Sequence, residues 1–348
     1  MQASSSEKLQ VAAVVSFYMT AALVMVFVNK AVLNSAPDLP MIFIFIQVVI
    51  AIVLLHVSAY FDKRVVLPVV EKETAKKLVP VVLVGVVGLV FNTLCLRGVE
   101  ATFFQIARGM VLPLTILAST IDTRSVPSSR VLIAATIVTG GFLLGIAPDS
   151  SVPIKSSPSL LSLFYGILSS FFIAIHAVLI KKSLPYCNNS TIELAWWTNA
   201  GSALFLIPFV ILQREPFALA EKISNPEWNG YVFLWGCLVT GFFGFLLCVA
   251  GLLSVKVTSP ITHMFSSAAR SVLQTILGVL IFKDILTLSR AASILTILLG
   301  TIFYSWVKHV EGAQKPPSKR NDIESVRLVS KNDQDKEIIW QHSEEEKE

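Results

Sequence analysis

The sequence predicts an all-α membrane protein with ten transmembrane helices arranged as two inverted five-helix repeats. Three observations lead there. The 348 residues are 54% hydrophobic and only 15% charged, and the mean hydropathy is +0.71. The apolar residues gather into ten runs, each near the ~20 residues that a spanning helix needs. A set of polar residues in the first half returns in the second, displaced by an odd number of runs.

Composition alone removes several classes. A soluble domain carries about a quarter charged residues, and even a large globule buries only about 75% of its chain surface. A soluble two-domain enzyme, which length by itself suggests, is therefore excluded. The net charge of +5 would suit nucleic acid, but no basic cluster with interleaved aromatics accompanies it, so no nucleic-acid partner is expected. Residues 1–310 carry +8, and the last 38 residues carry −3. The chain is a basic apolar body with a polar tail. Cys95, Cys187, Cys237 and Cys248 lie far apart, with no CxxC pair, and read as packing residues. Walker, dinucleotide, zinc and triad patterns are absent, so neither an enzyme, a metal site nor a cofactor is expected.

The ten runs are residues 9–30, 38–61, 77–97, 101–121, 129–147, 160–181, 191–213, 229–253, 258–282 and 286–307. The first is too long for a signal-peptide core and lacks a clear small-residue cleavage site, so it is read as a retained helix. With the N-terminus in the cytosol, 15 Lys/Arg fall on the cytosolic side and 7 opposite. Both termini are thus expected in the cytosol. Residues 1–8 form a cytosolic segment, 9–147 the first repeat, 148–159 a linker, 160–307 the second repeat and 308–348 a disordered cytosolic tail. Asn188 and Asn189 match the glycosylation acceptor pattern. In this topology they face the cytosol, where they stay unmodified.

The repeat rests on matched residues. Arg108 meets Arg270 at an offset of 162, and Asp122 meets Asp284. After a two-residue gap Arg130 meets Arg290, Thr136 meets Thr296 and Gly140 meets Gly300. The offset covers five spans, so the halves cross the membrane in opposite senses. Such an architecture puts a substrate site between the halves near the midplane.

Arg108 and Arg270 carry the chemistry. An arginine at mid-membrane costs about 2.5–3.5 kcal/mol on insertion scales, so it faces a cavity or a partner. Glu100, Asp122, Glu193 and Asp284 all lie near span ends, and no carboxylate sits at comparable depth. An anionic substrate can supply the missing charge, and the guanidinium fork suits phosphate oxygens. His263, Ser266, Ser267, Arg270 and Gln274 form one polar stripe at helical spacing, and Gln105, Arg108 and Thr115 form another. Asn92, Gln47, His176 and Asn199 are further polar residues inside spans. Pro113 and Pro260 lie in the arginine-bearing spans and are candidates for bends during gating. Gly141-x-x-x-Gly145 marks a close helix approach. With only His56, His176 and His263 able to titrate, anion exchange is favoured over proton-driven export.

Short motifs add a resemblance. They are Val26-Phe27-Val28-Asn29-Lys30, Phe91-Asn92-Thr93-Leu94-Cys95-Leu96, Gly241-Phe242-Phe243-Gly244-Phe245, Lys256 through His263, and Tyr304-Ser305-Trp306-Val307. Over roughly residues 11–310 the chain resembles nucleotide-sugar transporters of the drug/metabolite transporter superfamily, within the triose-phosphate/nucleotide-sugar branch. The resemblance is strongest to the Golgi GDP-fucose transporter group. It implies ten helices, a multi-pass protein of the Golgi membrane, and exchange of a cytosolic nucleotide sugar, GDP-fucose-like, for a lumenal nucleoside monophosphate.

The family's phosphate-holding Gly-x-Ala-Lys motif falls on Ser267-Ala268-Ala269-Arg270, which keeps the charge but replaces Gly and Lys. The group's arginine in the fourth span falls on Arg108. The base-reading Phe-Tyr-Asn-Asn motif falls on Trp196-Trp197-Thr198-Asn199 and retains only the last Asn. A UDP-sugar such as UDP-xylose, or a phosphorylated metabolite or phosphate, therefore stays open as substrate. The expected site has Arg108 and Arg270 on the phosphates. Trp196, Trp197, Asn199, Asn92, His263, Ser266, Ser267 and Gln105 lie about the base and sugar. Asn29, Lys30, Gln47, Pro113 and Pro260 are gate or cavity residues. The expected partners are the nucleotide sugar, the monophosphate and the lipid bilayer, with a homodimer allowed.

Overall fold

The computed structural model describes the backbone of residues 5–63, 65–147, 159–257 and 260–313. The side chains of residues 5–12, 14–15, 248–269 and 312–313 lie outside the described set. So do the expected linker apart from Ser159, and the tail beyond Ala313. The chain divides into two compact units, Met1–Ser305 and Trp306–Glu348. In the second, Lys308 and Glu311 pair one helical turn apart at 3.5 Å.

Every described element is helical. In chain order they are α1 (Ser5–Ser35), α2 (Pro40–Phe61), α3 (Lys72–Gly98), α4 (Ala101–Ala107), α5 (Val111–Thr123) and α6 (Ser129–Ile146). Then follow α7 (Leu160–Ser183), α8 (Thr191–Leu212), α9 (Glu215–Ser224), α10 (Gly230–Val257), α11 (Pro260–Phe282) and α12 (Leu288–Ala313). Among the described residues, nine helices are long and apolar enough to cross a membrane. The ninth expected span falls on α11, whose described side chains begin at Arg270. Its Arg270–Phe282 part counts only as a shorter apolar helix.

Two features depart from the expected spans. The fourth is broken: α4 ends at Ala107, Arg108–Met110 forms a 3-10 turn, and α5 continues from Val111. Pro113 explains the break, because it has no N–H for the carbonyl four residues back, at Gly109, and its ring crowds that turn. The other is α9, a short helix between the seventh and eighth spans. Arg214 enters it at φ 54° and Pro216 occupies its first turn.

Local signals set the helix starts. The hydroxyls of Ser128, Ser159 and Ser190 accept from the amides of Val131, Ser162 and Glu193, capping α6, α7 and α8. At α2 the cap comes from far along the chain. Buried Glu215 accepts from Met41 N at 3.0 Å and Ile42 N at 2.7 Å, so α9 is docked onto the start of α2.

In a bilayer, helices associate through close van der Waals contact and interhelical hydrogen bonds rather than through the hydrophobic effect. The expected approach at Gly141 and Gly145 is present. A Cβ at Gly145 would collide with Ser293 Oγ, and one at Gly141 would lie 3.0 Å from Ile297. Ser293 Oγ donates to Gly141 O at 2.6 Å. Further along the same α6–α12 contact, Gly300 meets Val138 and Ile137. Many large apolar side chains point outward, including Leu132, Leu143, Leu295 and Leu299, as lipid-facing residues do.

Candidate functional site

The break in the fourth span positions Arg108. Its backbone leaves the α-helical ladder, and its guanidinium lies 5.7 Å from the ring of Phe104. The side chain lines a cavity of about 340 Å³ between α3, α7 and α8. Asn92, His176, Thr198, Asn199 and Ser202 supply the other polar wall groups, and Val81, Val82 and Ile173 the apolar ones. A second cavity of about 120 Å³ is lined by Gln47, Asn199, Thr240 and Phe245. Val48 and Asn199 belong to both walls.

Arg270 on α11 lies near Arg108, because Ser271 beside it is hydrogen-bonded to Gln105, three residues before Arg108, and like charges so placed repel. Its Nε is enclosed without a hydrogen-bond partner among the described residues. Neither arginine forms an ion pair among those residues. Two like charges in a low-dielectric interior are costly. An anion between them would relieve both the repulsion and the missing hydrogen bonds.

The other expected residues divide into groups. Asn199 Nδ2 donates to Ala195 O at 2.7 Å, which leaves its Oδ1 without a donor among the described residues. Asn92 Oδ1 accepts from Ser169 Oγ at 3.5 Å on the same cavity wall. Gln47 Nε2 donates to Asn29 Oδ1 at 2.8 Å and to Thr240 Oγ1 at 2.7 Å. That network ties α1, α2 and α10 and holds Gln47 on the smaller cavity.

Gln105 Nε2 donates to Ser271 Oγ at 2.5 Å, joining α4 to α11 beside the arginines. Trp197 is buried in the core, and Trp196 packs edge-on against it at 5.3 Å with His56 at 6.3 Å on its other side. Neither tryptophan is on the wall of the two cavities. Pro260, His263, Ser266 and Ser267 sit on α11 with side chains outside the described residues.

Lys30 is a cap. Buried at the end of α1, it donates to Leu96 O at 2.9 Å, Arg97 O at 3.3 Å and Val99 O at 2.6 Å. Its three ammonium protons thus meet the open carbonyls at the C-terminus of α3. Around it, Asp284 Oδ2 accepts from Thr102 N at 2.7 Å and Thr102 Oγ1 at 2.8 Å. Arg290 reaches Glu100 at 2.5 Å and Ile285 O at 2.6 Å. Gln274 donates to Ala101 O at 3.2 Å. These contacts clasp the α3–α4 turn to the α11–α12 turn and close one end of the body. Asp122, at the end of α5, pairs with Lys182 in a more exposed setting.

Sequence reasoning missed Thr198, Ser202 and Thr240 as wall residues. Thr198 and Ser202 are one helical turn apart, a signal that was readable. Nothing local marks Thr240, whose role depends on α10 meeting α2. The Glu215 cap likewise joins residues 173 and 174 positions apart.

Many apolar helices around a polar cavity with Arg108 on its wall are the build of a membrane transporter. The chain belongs to the Triose-phosphate Transporter family, whose model matches residues 9–305. It is similar to GDP-fucose transporter 1 of Mus musculus, 28% identical over 92% of this chain and 90% of that one. The Golgi GDP-fucose transporter of Drosophila melanogaster is 26% identical over 86% of this chain and 90% of its own. UDP-galactose/UDP-glucose transporter 7 of Arabidopsis thaliana is 25% identical over 88% and 93%.

Proposed function

We propose that this protein is a Golgi antiporter that brings a cytosolic nucleotide sugar into the lumen in exchange for a nucleoside monophosphate. GDP-fucose is the first substrate to consider, given the relatives' names. The observation that carries the reading is the arginine pair, two mutually repelling cations without ion-pair partners among the described residues, one of them on a cavity wall.

The charges fit. A nucleotide sugar carries one negative charge per phosphorus, so two arginines balance its pyrophosphate. A nucleoside monophosphate carries about −1.5 to −2 if it titrates like phosphoserine. Either ligand neutralises the same pair, whereas the empty carrier keeps two uncompensated charges and resists conversion. That difference couples the two movements into exchange.

The proposed architecture is ten helices in two inverted repeats, with both termini cytosolic. The α6–α12 contact supports it. Residues 137–138 meet Gly300 and Gly141 meets Ile297. A shift of about 160, the sequence offset of these spans, exchanges the two sets of contacts, as an inverted repeat with paired fifth and tenth spans requires. In this orientation the clasp of Lys30, Asp284 and the Glu100–Arg290 pair closes the lumenal end. Substrate would enter from the cytosol, and the clasp would open to release it. The 3-10 turn at Arg108 puts the phosphate contact at the point where the fourth span can bend.

On the α8 wall, Thr198, Asn199 and Ser202 face the cavity rather than the tryptophan pair. The base is therefore read by small polar groups. This keeps a uracil nucleotide sugar as a second reading, in line with the Arabidopsis relative. Proteoliposomes preloaded with GMP or UMP test both. Labelled GDP-fucose should enter only against internal GMP, and a UDP-sugar only against internal UMP if the second reading holds. Equal uptake into vesicles without internal nucleotide would end the exchange proposal. A glycan found on Asn188 or Asn189 would reverse the orientation.

A further inference from the structure

Away from the arginine cavity, a separate groove runs along the outer face between α5 and α7. Its volume is about 290 Å³. Leu114, Leu117, Ala118 and Ile121 form one wall, and Phe171, Ile175, Val178 and Leu179 the other. Asp122 and Lys182 close one end. The walls are open to the surroundings: Leu117 is 53% exposed and Ile121 69%. Both helices are membrane spans, so the groove faces lipid rather than water.

Its dimensions and charges point to one occupant. From Phe171 to Lys182 the helix rises about 16 Å at 1.5 Å per residue. One leaflet of hydrocarbon is half of a core about 30 Å thick. The groove is thus as deep as a single leaflet, apolar along its length and polar only at one end. That end is basic. Lys182 has three donors and gives one to Asp122, and its side chain is 58% exposed. Lys181 stands beside it in the last turn of α7. Arg124 follows Asp122 at the end of α5, and Arg130 opens α6, both exposed. Asp122 is the only carboxylate among the lining residues.

We propose that this groove binds an anionic phospholipid, with one acyl chain along the α5–α7 seam and the phosphate on Lys182 and Lys181. Lys182 then bridges the phosphate and Asp122, so the lipid clamps α5 to α7. Because Arg108 precedes α5 in the same broken span, the clamp acts on the span that bears the proposed phosphate ligand. The site does not depend on which nucleotide the carrier moves, and its test is read at Lys181 and Lys182, away from the arginines.

The test is thermal unfolding of the purified full-length protein in detergent, titrated with phosphatidylserine, phosphatidylcholine, glycerophosphoserine or inorganic phosphate. Phosphatidylserine should raise the unfolding midpoint at lower concentration than phosphatidylcholine. The expected preference is about fivefold for each basic residue that meets the headgroup. Any shift given by the two water-soluble phosphates should be unchanged by Lys181→Gln/Lys182→Gln, since it would come from the arginine cavity. Lys181→Gln/Lys182→Gln should bring phosphatidylserine down to the phosphatidylcholine level. Asp122→Asn frees Lys182 and should strengthen phosphatidylserine binding. Ala118→Phe fills the groove from a position remote from the charges and should weaken both lipids. Equal affinity for the two lipids in the unaltered protein would overturn the proposal, as would a preference that survives the double lysine substitution. A shift with inorganic phosphate that the double lysine substitution abolishes would also overturn it, replacing the lipid by a free anion.

Discussion

Arg108→Gln separates the cost of the buried cation from its use. Arg108 has no ion pair among the described residues, and Arg270 repels it. Its favourable contact is the Phe104 ring at 5.7 Å, worth about 0.5–2 kcal/mol. The cation itself costs about 2.5–3.5 kcal/mol in the bilayer interior. Glutamine keeps a polar head of similar reach without the charge. The ligand-free variant should therefore be more stable than the original by about 1–2 kcal/mol.

Ligand binding should move the other way. Losing a hydrogen bond to a charged group costs about 1.5–3 kcal/mol, or roughly 10- to 150-fold in affinity. The assay is thermal unfolding with and without GMP. Ligand at 100 times its dissociation constant stabilises by about 2.7 kcal/mol. The variant at the same concentration should lose about half to nine-tenths of that shift while starting from a higher midpoint. A variant that starts lower would show Arg108 to be a structural partner. One that keeps the full ligand shift would remove it from the phosphate site.

Two further outcomes follow from the cap and the clasp. Glu215→Ala leaves two buried amides of α2 without an acceptor, at about 1–3 kcal/mol each, so the unfolding midpoint should fall. Burial pushes the Glu215 carboxyl above its ordinary 4.5, against the backbone hydrogen bonds that pull it down. The folded form then holds the proton more tightly than the unfolded one. Its contribution is full below 4.5 and is lost as pH rises through the raised value. The midpoint of the original protein should carry that declining slope, and Glu215→Gln should lack it. Arg290→Gln strands the half-buried Glu100 and should lower the unfolding midpoint, by less than the about 3–5 kcal/mol that breaking a fully buried pair costs. Adding Glu100→Gln should recover part of that loss, and a double-mutant cycle with no coupling would contradict the pair.

Much of the fold was readable because a bilayer imposes its terms one span at a time. Hydropathy located α2, α3, α6, α7 and α8 within a few residues, and serine caps at 128, 159 and 190 mark three starts. The short helix α9 was not readable, being too short to span and too brief for a periodic signal. Lys30 looked like a cavity cation, since a lysine near a span end carries no sign of its partner. Only the arrival of the α3 C-terminus turns it into a cap. Trp196 and Trp197 were expected about the base and sugar, and the rotation of α8 puts Thr198, Asn199 and Ser202 on the cavity wall.

The sequence by itself determined the membrane class, most of the helix boundaries and the placing of Arg108 and Arg270 inside spans. These follow from transfer costs and backbone bonding within single segments, so local residues suffice. The tertiary structure decided what those arginines face, which end is clasped, and which polar residues share a wall with Arg108. Each of those depends on contacts between residues far apart in the chain. Helix rotation and approach are set by where Gly141 and Gly145 allow close packing and by where buried hydrogen bonds can be completed, and neither can be read from one segment alone.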